Sequence, residues 1–120
     1  MKLNFIKTAD KFLWTNHAQQ KMRFYRLSES RVKRVVRHSA RVERGIATET
    51  SACMQRGDSR KRKEEVWVMY QRKIQTSKDK IVIISAWRYP GVSPLGEPFP
   101  IPEDVLTDLK EFIREKAARC

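Results

Sequence analysis

The chain has 120 residues, with 26 Lys and Arg against 14 Asp and Glu, a formal charge of +12 and 40% hydrophobic residues; this suits one domain whose core needs no disulfide or metal staple. Its longest apolar run, Ile81–Ile84, falls far short of the ~20 residues a membrane helix requires, and the lysine-bearing start Met1–Phe12 lacks the apolar core of a signal segment. The only cysteines are Cys53 and Cys120, with no CxxC pair, so a disulfide framework is not expected and a cytoplasmic setting is.

In chain order, Leu3–Ile6 and Phe12–Trp14 are short apolar clusters that fit a first strand or an extended arm. Thr15 is placed as an N-cap, its hydroxyl able to accept from an orphan amide of the following turn. A helix is expected from there to about Tyr25. Ala18, Met22 and Tyr25 fall on one stripe, with His17, Lys21 and Phe24 beside it. Ser28 is the next cap, and Val32, Val35 and Val36 give a second short buried face that should end near His38–Ala40. Arg41–Gln55 reads as extended structure around Gly45, followed by the polar turn Arg56–Lys63. Glu64–Gln71 is a strand with Val66, Val68 and Tyr70 on one face and Trp67 and Met69 on the other, hence interior. Arg72–Asp79 reads as a hairpin loop, and Lys80–Tyr89 as a second interior strand.

All five prolines lie between Pro90 and Pro102. Proline lacks the amide that a ladder or helix interior needs, so this stretch is a connector. Pro102 then suits the first position of an amphipathic helix, with Glu103 and Asp104 complementing its dipole and Val105, Leu106, Leu109, Phe112 and Ile113 at helical spacing. Asp104 and Asp108 are placed on the solvated side of that helix. The expected class is α+β: two short N-terminal helices on one face of a small antiparallel β-meander, plus a C-terminal amphipathic helix. The domain spans residues 1–92, the connector 93–102 and the last helix 103–120, packed on the same domain or docked on a second copy.

The charge is uneven: residues 1–60 carry +9, residues 61–100 carry +4 and residues 101–120 carry −1. A basic body attracts nucleic acid or anionic lipid. The candidates for such contact are Arg31, Lys33, Arg34 and Arg37 of the second helix and Arg60, Lys61, Arg62 and Lys63 of the polar turn; each run also fits a solvated face. No phosphate-cradling glycine loop, nucleophile elbow or metal-ligand spacing occurs, so no cofactor or metal is expected. Glu64 and Glu65 are adjacent in a strand and point to opposite faces, so they make no carboxylate pair. His17 with Lys21 one turn later fits a general base beside a phosphate-binding cation, or a packing residue beside Trp14. Arg88 and Tyr89 at the strand end fit a phosphate clamp and a proton relay, or a snorkelling cation and a cap on the core. Cys53 reads as a small apolar filler.

The segment Thr15–Val36 (TNHAQQKMRFYRLSESRVKRVV), with its Thr-x-His-Ala opening, resembles the start of a group of small bacterial domains of unknown function. EEVWVMYQ and KIVIISAWRYPG look like that group's two core strands. The group in turn resembles BrnT and, more distantly, the RelE-type toxins, small basic ribonucleases of toxin–antitoxin pairs; the likeness covers about residues 14–92. It departs at two places: Phe24-Tyr25-Arg26 stands where BrnT-like chains have Lys-His-Gly, and Trp87 follows Ile84-Ser85-Ala86 where they have Arg, here displaced to Arg88. The resemblance implies an RNA- or ribosome-binding domain, or a metal-independent ribonuclease. On that reading His17 is the base, Lys21 and Arg88 stabilise phosphate and Tyr89 relays a proton. The rival expectations are a nucleic-acid- or ribosome-binding module without turnover, and an interaction domain for an acidic, antitoxin-like partner.

Overall fold

The computed structural model describes residues 11–46, 49–75 and 78–110. Strand β1 is Phe12–Trp14, helix α1 Asn16–Tyr25, helix α2 Glu29–Arg37, strand β2 Arg41–Arg44, β3 Thr50–Arg56, β4 Glu64–Gln75 and β5 Lys78–Pro90. Residues 103–110 form a third helix, α3. The rest of the expected last helix, the Leu3–Ile6 cluster and Cys120 lie outside the described residues. The chain is therefore α+β. No helix among the described residues is long and apolar enough to cross a membrane.

The caps form as their side-chain chemistry requires. Thr15 Oγ1 accepts from the Ala18 amide at 3.0 Å and donates to the Ile83 carbonyl at 2.9 Å, so one hydroxyl both starts α1 and ties it to β5. Ser28 Oγ accepts from the Arg31 amide at 3.1 Å and starts α2. Helix α1 ends on Arg26, whose backbone is left-handed at φ 58°, ψ 51°; the Leu27 amide reaches back to Met22 O at 2.7 Å and closes the last turn.

The sheet order is β1-β5-β4-β3-β2. Strands β2 to β5 run antiparallel in sequence, as expected. The expectation of a wholly antiparallel sheet needs correction: β1 pairs parallel with β5, Phe12 facing Ile81 and Trp14 facing Ile83. The chain can do this because α1 and everything after it intervene between the two strands, and a parallel pair needs such a crossover. The expected loop Arg72–Asp79 is also shorter than the sequence suggests. Arg72 pairs with Ile81, Lys73 with Lys80 and Gln75 with Lys78, so the ladder runs almost to the hairpin tip.

The β4–β5 ladder contains one irregularity. Met69 opposes Ser85 but Tyr70 opposes Ile83, which leaves Ile84 as an extra residue in β5. A bulge of this kind changes which face the following residues occupy. Before it, Ile81 and Ile83 face the helices; after it, Ala86 and Arg88 do, while Trp87 and Tyr89 face the other way. The Ser85 hydroxyl beside the bulge is buried without a hydrogen-bond partner.

Two cores result. On the helix side, Ala18, Met22, Val32 and Val35 close over Cys53, Val66, Val68 and Ile83. Cys53 there is an inert filler whose thiol burial pushes up to about 12. On the other side, Trp67 and Trp87 stack at 6.3 Å and Phe99 of the connector lies on both, with Val105 and Leu109 of α3 completing the layer. The connector is strapped down by buried polar groups: Arg41 donates to Ser93 Oγ at 2.7 Å and lies over the Trp67 ring, and Ser93 Oγ donates onward to Glu65 Oε1 at 2.7 Å.

Candidate nucleic-acid interface

The end of α1, the loop between β3 and β4, and the ends of β4 and β5 meet around a cleft of about 450 Å³. Its carboxylate is Glu64, at the start of β4. Val66 opposes Arg88 in the ladder, so Glu64 and Arg88 are diagonal neighbours on one face. Arg88 Nη1 donates to Glu64 Oε2 at 2.6 Å, its Nε to Tyr25 O at 2.6 Å and its Nη2 to Arg26 O at 3.1 Å. Arg88 thus caps the last carbonyls of α1 and presents Glu64 at the same time. Were Ile84 paired regularly with Met69 instead of bulged out, Trp87 would oppose Val66 and Arg88 would lie on the far side of the sheet.

Behind this pair sits Arg31 of α2. Its Nη2 donates to Arg56 O at 3.2 Å, and its Nε is buried without a hydrogen-bond partner. Burial first, then the neighbouring charges of Arg34 and Arg88, act to lower its pKa, against the pull of Glu64. Gly57 forms the floor: a Cβ there would stand 3.0 Å from Val66 Cγ2 and 3.3 Å from Arg31 Nη2. The rim carries Arg26, Arg62 and Phe24, all exposed. Phe24 is 70% exposed and stands edge-on to Tyr25 at 4.8 Å between ring centres. A large apolar ring this exposed beside clustered cations is the chemistry of a stacking platform for bases.

The basic loop is ordered by its own polar residues. Asp58 Oδ1 accepts from Arg56 Nη2 at 2.6 Å and from the Glu64 amide at 2.9 Å, and these bonds hold its carboxyl below the usual range. The Ser59 amide donates to Arg62 O at 2.9 Å. Arg60, Lys61, Arg62 and Lys63 are then displayed outward, all exposed. On α2, Arg34 and Arg37 are exposed, and Lys33 and Arg37 lie over the ring of Phe12 at 5.5 and 5.2 Å. The expected cation face of α2 is thus partly engaged with β1.

The residues expected to act together are separated. Arg88 lines the cleft, whereas His17 and Lys21 do not. His17 is half-buried, with Nδ1 buried and lacking a hydrogen-bond partner. Lys21 is clasped by α3, 2.8 Å from Asp104 and 3.0 Å from Asp108. Those two aspartates therefore face α1 rather than solvent alone, which corrects the expectation for them. Burial disfavours the charged lysine, but the bonds to Asp104 and Asp108 outweigh it and raise its pKa. The Tyr25 hydroxyl donates to Asp104 at 3.1 Å, and burial together with that carboxylate pushes its pKa up to about 12. Tyr89 is half-buried against the second core.

Glu64, Arg26 and Phe24 belong to no motif that marks them in the sequence as site residues. The available signal was strand parity: Glu64 shares a face with Val66 and Val68, and a hairpin brings the end of the next strand alongside. Among the described residues no group of three or more His, Cys, Asp and Glu is arranged to hold a metal ion. No family model, curated protein or solved structure matches this chain.

Proposed function

We propose that the chain is a toxin-like basic domain that binds RNA and cleaves it without a metal, with Glu64 and Arg88 at the reacting phosphate. The observation that carries this reading is the Glu64–Arg88 pair in an open cleft rimmed by Arg26, Arg62 and Phe24. The order of two helices before the antiparallel strands β2 to β5, and the resemblance of Thr15–Val36 to the openings of BrnT-related domains, support it. On this reading the Glu64 carboxylate takes the proton from a 2′-hydroxyl. The 2′-oxygen then bonds to phosphorus, and the 5′-oxygen leaves with a proton from water. Arg88 and Arg26 stabilise the charge that builds on the phosphoryl oxygens. An acidic antitoxin-like protein would approach the same basic rim.

The test is incubation of end-labelled RNA with the full chain in the presence of EDTA. Cleavage that leaves 2′,3′-cyclic phosphate ends is expected. A second reading, binding without turnover, is favoured by the three protein bonds that already occupy Arg88. Tight, steeply salt-dependent binding with intact RNA would establish that reading instead.

A further inference from the structure

Tyr25 and Arg88 have a second side. Beyond them, where β5 ends and the chain turns out through Pro90, lies another hollow of about 360 Å³. Its walls are Tyr89, Pro90, Pro100, Ile101 and Pro102. The volume is within the ~300–1,000 Å³ typical of small-molecule sites. Tyr89 and Ile101 also pack on the second core, but the open volume between them has no part in the cleavage chemistry.

We infer that this hollow receives one unstacked nucleobase of the same RNA strand whose phosphate lies at Arg88. The inference rests on the function proposed above and adds its substrate form: a single strand with at least two bases splayed apart, one on Phe24 and one in the hollow. Three observations support it. The two hollows share Arg88, so a ligand seated in the second has a cation at its edge where the backbone phosphate must pass. Apart from Ile101 the walls named above are a tyrosine ring and proline rings, apolar surfaces that accept any base by stacking rather than by hydrogen-bond readout. The walls are also held in advance. Trp87 Nε1 donates to Pro100 O at 2.9 Å, the Leu106 amide to Pro102 O at 2.9 Å, and Tyr25 is fixed through Asp104. A preformed site has little ordering cost on binding. A base inside a duplex cannot enter such a hollow, which selects against paired RNA.

The experiment uses uncleavable 2′-O-methyl RNA octamers, one intact and one abasic throughout, and measures Kd for each. It is run on the full chain carrying Phe24→Ala, a change at an exposed side chain that removes the other stacking surface. The intact strand should still bind about tenfold more tightly than the abasic one, the range expected for stacking of one base. Adding Tyr89→Ala should bring that ratio close to one, and Tyr89→Phe should preserve it. A ratio near one in Phe24→Ala itself overturns the base site and leaves RNA binding through the backbone intact. Absence of measurable binding by the unmodified chain overturns the functional reading, and the base site with it.

Discussion

Arg88 donates to Glu64 at 2.6 Å while its remaining contacts grip the carbonyls of Tyr25 and Arg26. One guanidinium therefore joins the last turn of α1 to the carboxylate at the start of β4. The position of the Arg26 rim and the aim of Glu64 depend on each other through it. Removing Arg88 would disturb both, so the informative substitutions lie at its partners.

Glu64→Gln keeps shape and one acceptor oxygen but cannot take a proton. RNA cleavage should fall by about 100-fold or more, the ordinary contribution of a general base. Binding of uncleavable RNA should stay within a few-fold of wild type. Product gels paired with binding isotherms check this; equal loss in both would show Glu64 to be structural only.

Arg26 holds a left-handed backbone that costs a non-glycine residue roughly 1 kcal/mol. Arg26→Gly should therefore stabilise the fold by about that amount, raising Tm by roughly 4 °C for a domain of this size. The same change removes a rim cation and should weaken RNA binding. Thermal melts and salt titrations of one variant would read both, with opposite signs.

Glu65 is fully buried and takes bonds from Trp67 Nε1 at 2.9 Å, the Ser93 amide at 2.9 Å and the Ser93 hydroxyl, with Arg56 at 3.2 Å. Burial acts to raise its carboxyl, but these bonds and the Arg56 charge together hold it below the ordinary glutamate range. A depressed folded-state pKa stabilises above the unfolded value, and that stability is lost as pH falls through the folded value. Glu65→Gln should thus cost about 2–3 kcal/mol at neutral pH. The gap to wild type should narrow as pH drops below about 4. Asp104 is depressed as well, because the bonds from Lys21 and Tyr25 outweigh its burial, and it titrates in the same acid region. The difference between the two proteins, rather than the wild-type curve alone, isolates Glu65.

Lys61 and Lys63 are exposed side chains of the ordered basic loop, replaced in turn as Lys61→Ala and Lys63→Ala. Each should weaken RNA binding uniformly across sequences. Each should also reduce the slope of log K against log salt by about 0.7, the value for one phosphate contact on a single strand. Binding measured across a salt series decides this. Unchanged slopes would place the loop outside the interface.

Much of the helical part was legible in advance because its signals are local. Thr15 and Ser28 announce their helices through chemistry acting three residues ahead. Strands β4 and β5 were recognisable as interior because both faces are apolar. What escaped depends on distant partners. Phe12–Trp14 is three residues long, and nothing within it specifies a parallel partner at Ile81–Ile83. Lys21 meets Asp104 across 83 positions of chain, so its use as a latch could not be read from its own helix. Glu64 and Glu65 face opposite ways and make no carboxylate pair; the cleft needs only one carboxylate, and an arginine from the neighbouring strand. That arginine's face was hidden because Ile81-Val82-Ile83-Ile84 is apolar at every place, leaving no alternation to mark the inserted residue.

The inserted Ile84 divides the central hairpin into two gratings that are half a period out of step. The half near Tyr70 and Ile83 is aligned for the core, and the half near Val66 and Arg88 is aligned for the cleft. Exchanging one apolar side chain for another in either half alters packing a little. Taking Ile84 into the ladder opposite Met69 would instead exchange the occupants of the two faces, turning Trp87 toward α1 and Arg88 into the tryptophan layer. Along this stretch, the pairing register matters more to the site than the identity of its apolar residues.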